Sequence, residues 1–269
     1  MLGTQDQTAL RTQQEDKQGH NSRIPNTPAK SEKAIDISVK PTVVACPHTP
    51  LLLQGWLVEK MCVRTAGPGR SRTYRVYIGK HDLTANNEAG SIAISPERII
   101  VHENWDSYNI RNDIALIKLS TPVTFSNTIT PACLPNSGEI LDDGAPCYVT
   151  GWGRLWTGGP IADILQQALL PVVGHSTCTR PDWWGTLVTT NMICAGGDGE
   201  LASCNGDSGG PLNCRNADGS WDVHGIVSFG SSLGCNYPKK PSVFTRVSGY
   251  ISWINNVSKD RCTHRVSEP

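Results

Sequence analysis

From Thr73 onward the chain alternates short apolar runs with clusters of Gly, Pro and Asn, and no long helical period appears until near its end. A polypeptide punctuated this often has no room for long helices, so the pattern predicts an all-β fold. Tyr74, Val76 and Ile78 alternate, as do Ile92 and Ile94, while 99–101 and 114–119 are denser runs suited to strands buried in a barrel. A second set of strands is expected at 147–150, 167–173, 223–229 and 242–247. Val247, Tyr250, Ile251 and Ile254 then keep helical spacing, which predicts a terminal amphipathic helix packed on a sheet.

With 269 residues the chain has material for one large or two small domains with real cores, so two barrels fit. Lys+Arg and Asp+Glu both number 24, leaving no net field to attract nucleic acid or an anionic membrane; neutral or mixed-charge polypeptides are the better partners. None of the ten cysteines stands in a C-x-x-C pair, which fits a disulfide framework in an oxidising, extracellular compartment better than a zinc site. The first 40 residues run against that reading. They are rich in Gln, Lys, Asp and Ser, lack the basic-then-apolar order of a signal peptide, and read as disordered. The most apolar window, Thr42 to Met61, is broken by Pro47, Pro50, Gln54 and Glu59; it is too interrupted to span a membrane and reads as a buried strand or an unpacked segment.

One stretch carries chemistry: Cys204-Asn205-Gly206-Asp207-Ser208-Gly209-Gly210-Pro211. A serine that attacks a carbonyl needs an exposed hydroxyl and backbone N–H groups aimed at the developing oxyanion, and glycines permit the tight turn that brings both together. Ser208 is the candidate nucleophile and the amides of Gly206 and Ser208 the candidate oxyanion hole. The composition alone would equally suit a surface turn. Its neighbours decide. The stretches 147–153 (CYVTGWG), 192–197 (MICAGG), 112–119 (NDIALIKL) and 240–247 (KPSVFTRV) together resemble the chymotrypsin-like serine proteases, peptidase family S1. The spellings at 71–76 (SRTYRV) and 182–185 (DWWG) look most like that family's pancreatic elastase-2 branch, with chymotrypsin C close behind.

The resemblance, running from about Ser71 to Ser258, implies two Greek-key antiparallel β-barrels with a C-terminal helix. It divides the chain into an atypical segment 1–70, a peptidase-like domain 71–258 (partial first barrel 71–130, second barrel and helix 131–258) and a tail 259–269. By the same resemblance Asp113 is the buried carboxylate that orients the catalytic histidine, and Ser228 the residue that hydrogen-bonds it. Cys147 pairs with Cys214, Cys178 with Cys194, and Cys204 with Cys235. Cys133 matches a position that tethers the propeptide, without a clear partner here, and Cys46, Cys62 and Cys262 stay unassigned. The substrate pocket is built on Ala202 and Ser203, with Ser228, Phe229, Gly230 and Ser242 along its walls; lacking an Asp at its base, it favours Leu, Met, Phe or Tyr over Arg or Lys.

Two family features are missing from the string. The histidine belongs about 45 residues before Asp113, near Pro68, inside an Ala-Ala-His-Cys motif. The chain there reads Thr65-Ala66-Gly67-Pro68-Gly69-Arg70. His81 and His102 match non-catalytic positions, and His20, His48, His175, His224 and His264 lie elsewhere. No Ile-Val-Gly-Gly or Val-Val-Gly-Gly activation terminus occurs either, so Asp207 is expected as a partly buried carboxylate without its cation, and the first barrel is expected without the strands that precede Ser71.

No cofactor or metal is implied: Lys80 stands where calcium-binding relatives place a carboxylate. The 256–258 sequon (NVS), at a helix end, is weak evidence of glycosylation. The partners implied are polypeptide substrates and protein protease inhibitors, with the chain a monomer. Three readings follow: an elastase-like secreted endopeptidase by descent, a catalytically silent homologue that binds polypeptide through its cleft, and a joining of a foreign segment upstream of Ser71 at the gene level.

Overall fold

The computed structural model describes residues 74–258 together with the backbone of Trp56–Glu59 and Lys259. Expectations for residues 1–40, for the rest of the Thr42–Met61 window and for the tail lie outside the described residues. Within them the chain is built almost wholly of short antiparallel strands. Those of the first half are β1 (Trp56–Glu59), β2 (Val76–Ile78), β3 (Ile92–Ile94), β4 (Pro96–Val101) and β5 (Ala115–Leu119). Here β5 is flanked by β1 and β4 in a three-stranded sheet, and β2 pairs with β3 as a separate two-stranded ribbon. β1 comes from upstream of Ser71, so the first half does include a strand from there; it falls in the apolar window and pairs Trp56 with Lys118 through Glu59 with Ala115.

The second half contains β6 (Pro146–Gly151), β7 (Gln166–Val173), β8 (Met192–Ala195), β9 (Pro211–Arg215), β10 (Trp221–Phe229) and β11 (Ser242–Arg246). These close into a six-stranded antiparallel barrel in the order β10-β11-β8-β7-β6-β9, which leaves no strand edge unpaired. A short helix α1 (His175–Cys178) follows β7. A 3₁₀ turn, Val247–Tyr250, leads from β11 into the terminal helix α2 (Ile251–Lys259). Closure requires tight backbone approach at Gly225, where a Cβ would come within 2.9 Å of the Cβ of Phe244 and 3.1 Å of that of Leu212.

Three of the four apolar cores among the described residues explain the sequence pattern. The barrel interior is filled by residues such as Val149, Leu170, Val172, Leu212, Val227 and Phe244. The first half has a smaller core of its own, Ile94, Ile117 and Leu119. Between them Ile114 and Leu116 pack on Val223, Ile226, Val247, Tyr250 and Ile254. β5 therefore serves two cores from its two faces, which is why 114–119 is a near-continuous apolar run instead of an alternating one.

Candidate active site

The nucleophile turn is held by backbone bonds from both sides. The N–H of Asp207 donates to the Cys204 carbonyl (3.0 Å) and that of Gly210 to the Asp207 carbonyl (2.8 Å). Across to β10, the Gly209 N–H donates to the Val227 carbonyl (3.0 Å) and the Val227 N–H to the Gly210 carbonyl (2.8 Å). Gly206 and Gly209 take φ of 107° and 90°, in the left-handed region that glycine reaches without strain. Ser208 sits exposed at the tip. No described residue bonds its hydroxyl, and the N–H groups of Gly206 and Ser208 are not used in the backbone network of the described residues.

The Asp207 carboxylate turns inward beneath this loop. Its Oδ1 accepts the Gly153 N–H at 2.8 Å and its Oδ2 the Cys204 N–H at 2.9 Å. A Cβ on Gly151 or Gly153 would overlap that carboxylate, which explains the glycines flanking Trp152. Two backbone N–H dipoles hold the Asp207 carboxylate in place.

Asp113 comes from the other half and is only 3 % exposed. The Ser228 hydroxyl donates to its Oδ2 at 2.6 Å, and the Thr245 hydroxyl donates to its main-chain carbonyl at 2.8 Å. Asp113 and Ser228 have further interactions besides these. Next to it Asn112 adopts φ 53°, accepts the Tyr250 hydroxyl at 3.0 Å and donates to the Asn104 carbonyl at 2.8 Å. Sequence reasoning singled out Asp113 and Ser228 but missed Thr245, Asn112 and Tyr250. The available signal was a hydroxyl at Thr245 within an otherwise apolar strand and a tyrosine on the inner stripe of the terminal helical segment.

Among the pocket residues, Ser203 and Ser242 are buried and bonded to one another: Ser242 Oγ accepts the Ser203 hydroxyl at 2.9 Å and the Ser203 N–H at 3.0 Å. Ala202 is half-buried beside them, and where Gly230 would carry a Cβ there is open space. Phe229 meets Trp184 edge to face with ring centres 5.4 Å apart, and the Trp184 indole N–H donates to the Pro241 carbonyl at 3.0 Å. Trp184 thus braces Phe229 and the segment at Pro241.

The family model described as Trypsin matches residues 55–254. The chain belongs to the trypsin family of serine proteases. It is 61% identical to chymotrypsin-C of Rattus norvegicus over 183 residues, 68% of each chain. It is 60% identical to chymotrypsin-C of Mus musculus over 198 residues, covering 74% of this chain and 72% of that protein. Proproteinase E of Bos taurus is 50% identical over 209 residues, 76% of this chain and 80% of that one.

Three disulfides of this trypsin-family domain are those the resemblance implied: Cys147–Cys214, Cys178–Cys194 and Cys204–Cys235. The last ties the nucleophile loop to the segment after Gly230. Cys133, which the sequence left without a clear partner, is also disulfide-bonded. Lys80 occupies the centre of its loop: its ammonium bonds the carbonyls of Asp82 and Ala85 and lies 3.5 Å from the Glu88 carboxylate. Those oxygens are the kind a hard cation would need, and the side chain takes them itself.

Four histidines lie among the described residues. His81 is exposed; the His102 ring packs on Trp253 (4.9 Å) and Tyr250 (5.5 Å) with Nδ1 accepting the Asn104 N–H; His175 opens α1; His224 is buried in β10. No hydrogen bond among the described residues links any of the four to Ser208. His20, His48 and His264 lie outside the described residues.

Proposed function

We propose that this chain is, by descent, a serine endopeptidase of the elastase and chymotrypsin type, cleaving after apolar residues through an acyl-enzyme on Ser208. Asp113 is the orienting carboxylate and the Gly206 and Ser208 amides are the oxyanion hole. The observation that carries this reading is the Ser208 turn: an exposed hydroxyl and two uncommitted amides on a loop locked to the barrel and to Asp207. The identity to chymotrypsin-C supports the same choice. The neutral, mutually satisfied Ser203–Ser242 pair supports an apolar side chain in the pocket, because a cation placed there would find no countercharge in it.

A second reading is favoured by the sequence itself, which reads Thr65-Ala66-Gly67-Pro68-Gly69-Arg70 where the resemblance expects Ala-Ala-His-Cys. On that reading the chain binds polypeptide without cleaving it. One pair of measurements separates the two. An Ala-Ala-His-Cys segment grafted ahead of Ser71 is expected to give hydrolysis after Leu, Met or Phe and little after Arg or Lys. A graft that binds such peptides without turnover supports the silent reading, and a preference for Arg would refute the roles given to Ala202, Ser203 and Ser242.

A further inference from the structure

We propose that Asn205-Gly206, beside the nucleophile, is a site of self-modification, at which the Gly206 nitrogen attacks the Asn205 side chain and converts it to aspartate and isoaspartate. This is the only Asn-Gly step in the chain. Both residues are exposed, and no hydrogen bond among the described residues engages the Asn205 side chain or the Gly206 N–H. Asparagines elsewhere are held. Asn109, Asn112, Asn136, Asn216 and Asn236 donate from Nδ2 to Asp106, Asn104, Glu139, Asp222 and Gly199, and each is followed by a residue whose side chain crowds the attacking nitrogen.

The fold itself demands the reactive pair. Gly206 takes φ 107°, and a Cβ there would lie 3.1 Å from the Gly153 Cα, so the residue after Asn205 has to be the one that leaves its own nitrogen unshielded. One bond restrains the pair, from the Arg154 N–H to the Asn205 main-chain carbonyl at 2.9 Å. That carbonyl persists through ring closure. By drawing electron density from the amide, the bond also favours loss of the Gly206 proton.

The reaction consumes only water. Hydroxide removes the Gly206 N–H proton, the nitrogen bonds to Asn205 Cγ, and the Cγ–Nδ2 bond breaks with Nδ2 leaving as ammonia. Water then opens the cyclic imide. Cleavage between Cγ and the nitrogen gives aspartate; cleavage at the main-chain carbonyl gives isoaspartate, whose backbone runs through the side chain.

The effect falls on the nucleophile turn because that turn is pinned on both sides of the pair. Cys204 is bridged to Cys235, and the Asp207 carboxylate is held by the Gly153 and Cys204 amides. Isoaspartate places one extra backbone atom between those pins, and either product adds a negative charge next to the Gly206 and Ser208 amides. While the imide lasts, the Gly206 donor is gone. That these amides form an oxyanion hole rests on the function proposed above; the conversion does not, and it is measured without turnover.

The test incubates the folded full chain at mildly alkaline and mildly acidic pH and follows each asparagine by peptide mapping, with fragmentation that separates aspartate from isoaspartate. Asn205 is expected to convert at least about tenfold faster than any other asparagine, faster in alkali, and to yield both products. Asn205→Gln, whose longer side chain closes a ring far less readily, should show no conversion at that position and an unchanged urea midpoint. In the isoaspartate fraction, separated by anion exchange, the Asp207 and Gly210 amides should exchange faster than in the unconverted chain. An Asn205 that keeps its amide while others convert overturns the proposal. So does aspartate without isoaspartate, which would mean direct attack by water, and so does conversion that occurs only in urea, which would mean that the folded turn holds the nitrogen out of reach. Unchanged exchange at Asp207 and Gly210 would overturn the effect on the turn.

Discussion

Over the described residues, the two halves of the molecule build strands from similar residues and reach different degrees of closure. The second half closes its sheet, fills it with ten buried residues and stitches it with three disulfides. The first half, over the described residues, is a three-stranded sheet and a ribbon around three buried residues, and much of β5 is buried against β10, the 3₁₀ turn and α2. The candidate site draws one member from each. Ser208 is positioned entirely within the barrel, by β10 and the Cys204–Cys235 bridge, whereas Asp113 is positioned by Ser228 and Thr245, which the other half supplies. The barrel half therefore holds the Ser208 loop and also, through Ser228 and Thr245, contributes to holding Asp113.

The largest effect expected concerns chemistry. On the sequence reading that the Ala-Ala-His-Cys motif is absent, the serine keeps its proton, and a triad lacking one member retains only roughly 10³–10⁴-fold catalysis over water. The 269-residue chain should show no labelling by a fluorophosphonate. Stoichiometric labelling of Ser208 would mean that one of its histidines acts as base in an arrangement the family does not use.

Next in size come changes to what makes the barrel half self-sufficient. Loop closure over 67, 31 and 16 residues ranks the bridges Cys147–Cys214, Cys204–Cys235 and Cys178–Cys194 at about 4.4, 3.7 and 3.1 kcal/mol in the chain-entropy picture. Paired Cys→Ala variants should lose stability to urea in that order. Leu116→Ala, at the junction of the halves, should cost about 2–5 kcal/mol. Its distinguishing sign is in hydrogen exchange, where β4 and β5 should open before β7 and β8. Exchange that rises equally in both halves would show that the first half is no more dependent than the second.

Much of this architecture was legible in the chain because the barrel's constraints are local. Strand runs leave their mark in the chain itself, while the three cysteine pairs were implied by the family resemblance, and the structure has the pairs where the resemblance put them. β8 and β9 were not anticipated: Met192–Ala195 is too short a run to show a period, and Pro211-Leu212-Asn213-Cys214-Arg215, which mixes polar and apolar residues, becomes a strand only by closing the barrel between β6 and β10. β1 was ambiguous for the same reason: Trp56–Glu59 is a strand because β5 offers it a partner. The hydroxyls of Thr245 and Tyr250 act across more than a hundred residues, on Asp113 and Asn112, and nothing in their own neighbourhoods announces such partners.

A smaller effect tests how the halves share Asp113. Ser228→Ala removes a 2.6 Å hydrogen bond from a buried carboxylate and should destabilise by about 1.5–3 kcal/mol, more than a neutral hydroxyl would. Thr245→Val, which removes a bond to a main-chain carbonyl, should cost about 1 kcal/mol. The two should be less than additive because both anchor the same residue. Full additivity would show that Asp113 is held mainly from its own half.

The smallest effect belongs to the barrel alone and separates its electrostatics from those of the first half. His224 is buried in β10, and burial pushes its imidazolium below the ordinary value of 6.5, although Glu139 and Asp222, whose Oδ2 is 3.9 Å from Nε2, pull the other way. A histidine depressed in the folded state takes up its proton first in the unfolded chain. The unfolded state therefore binds more protons once the pH falls below 6.5, and stability declines with falling pH until the folded-state value is passed. The urea midpoint should be lower at pH about 5.5 than at about 7.5, and His224→Gln should flatten that slope while leaving the exchange pattern of β4 and β5 unchanged. An unaltered slope in the variant would place the acid sensitivity outside the barrel, and the contrast between a self-contained half and a dependent one would then extend to pH as well as to packing.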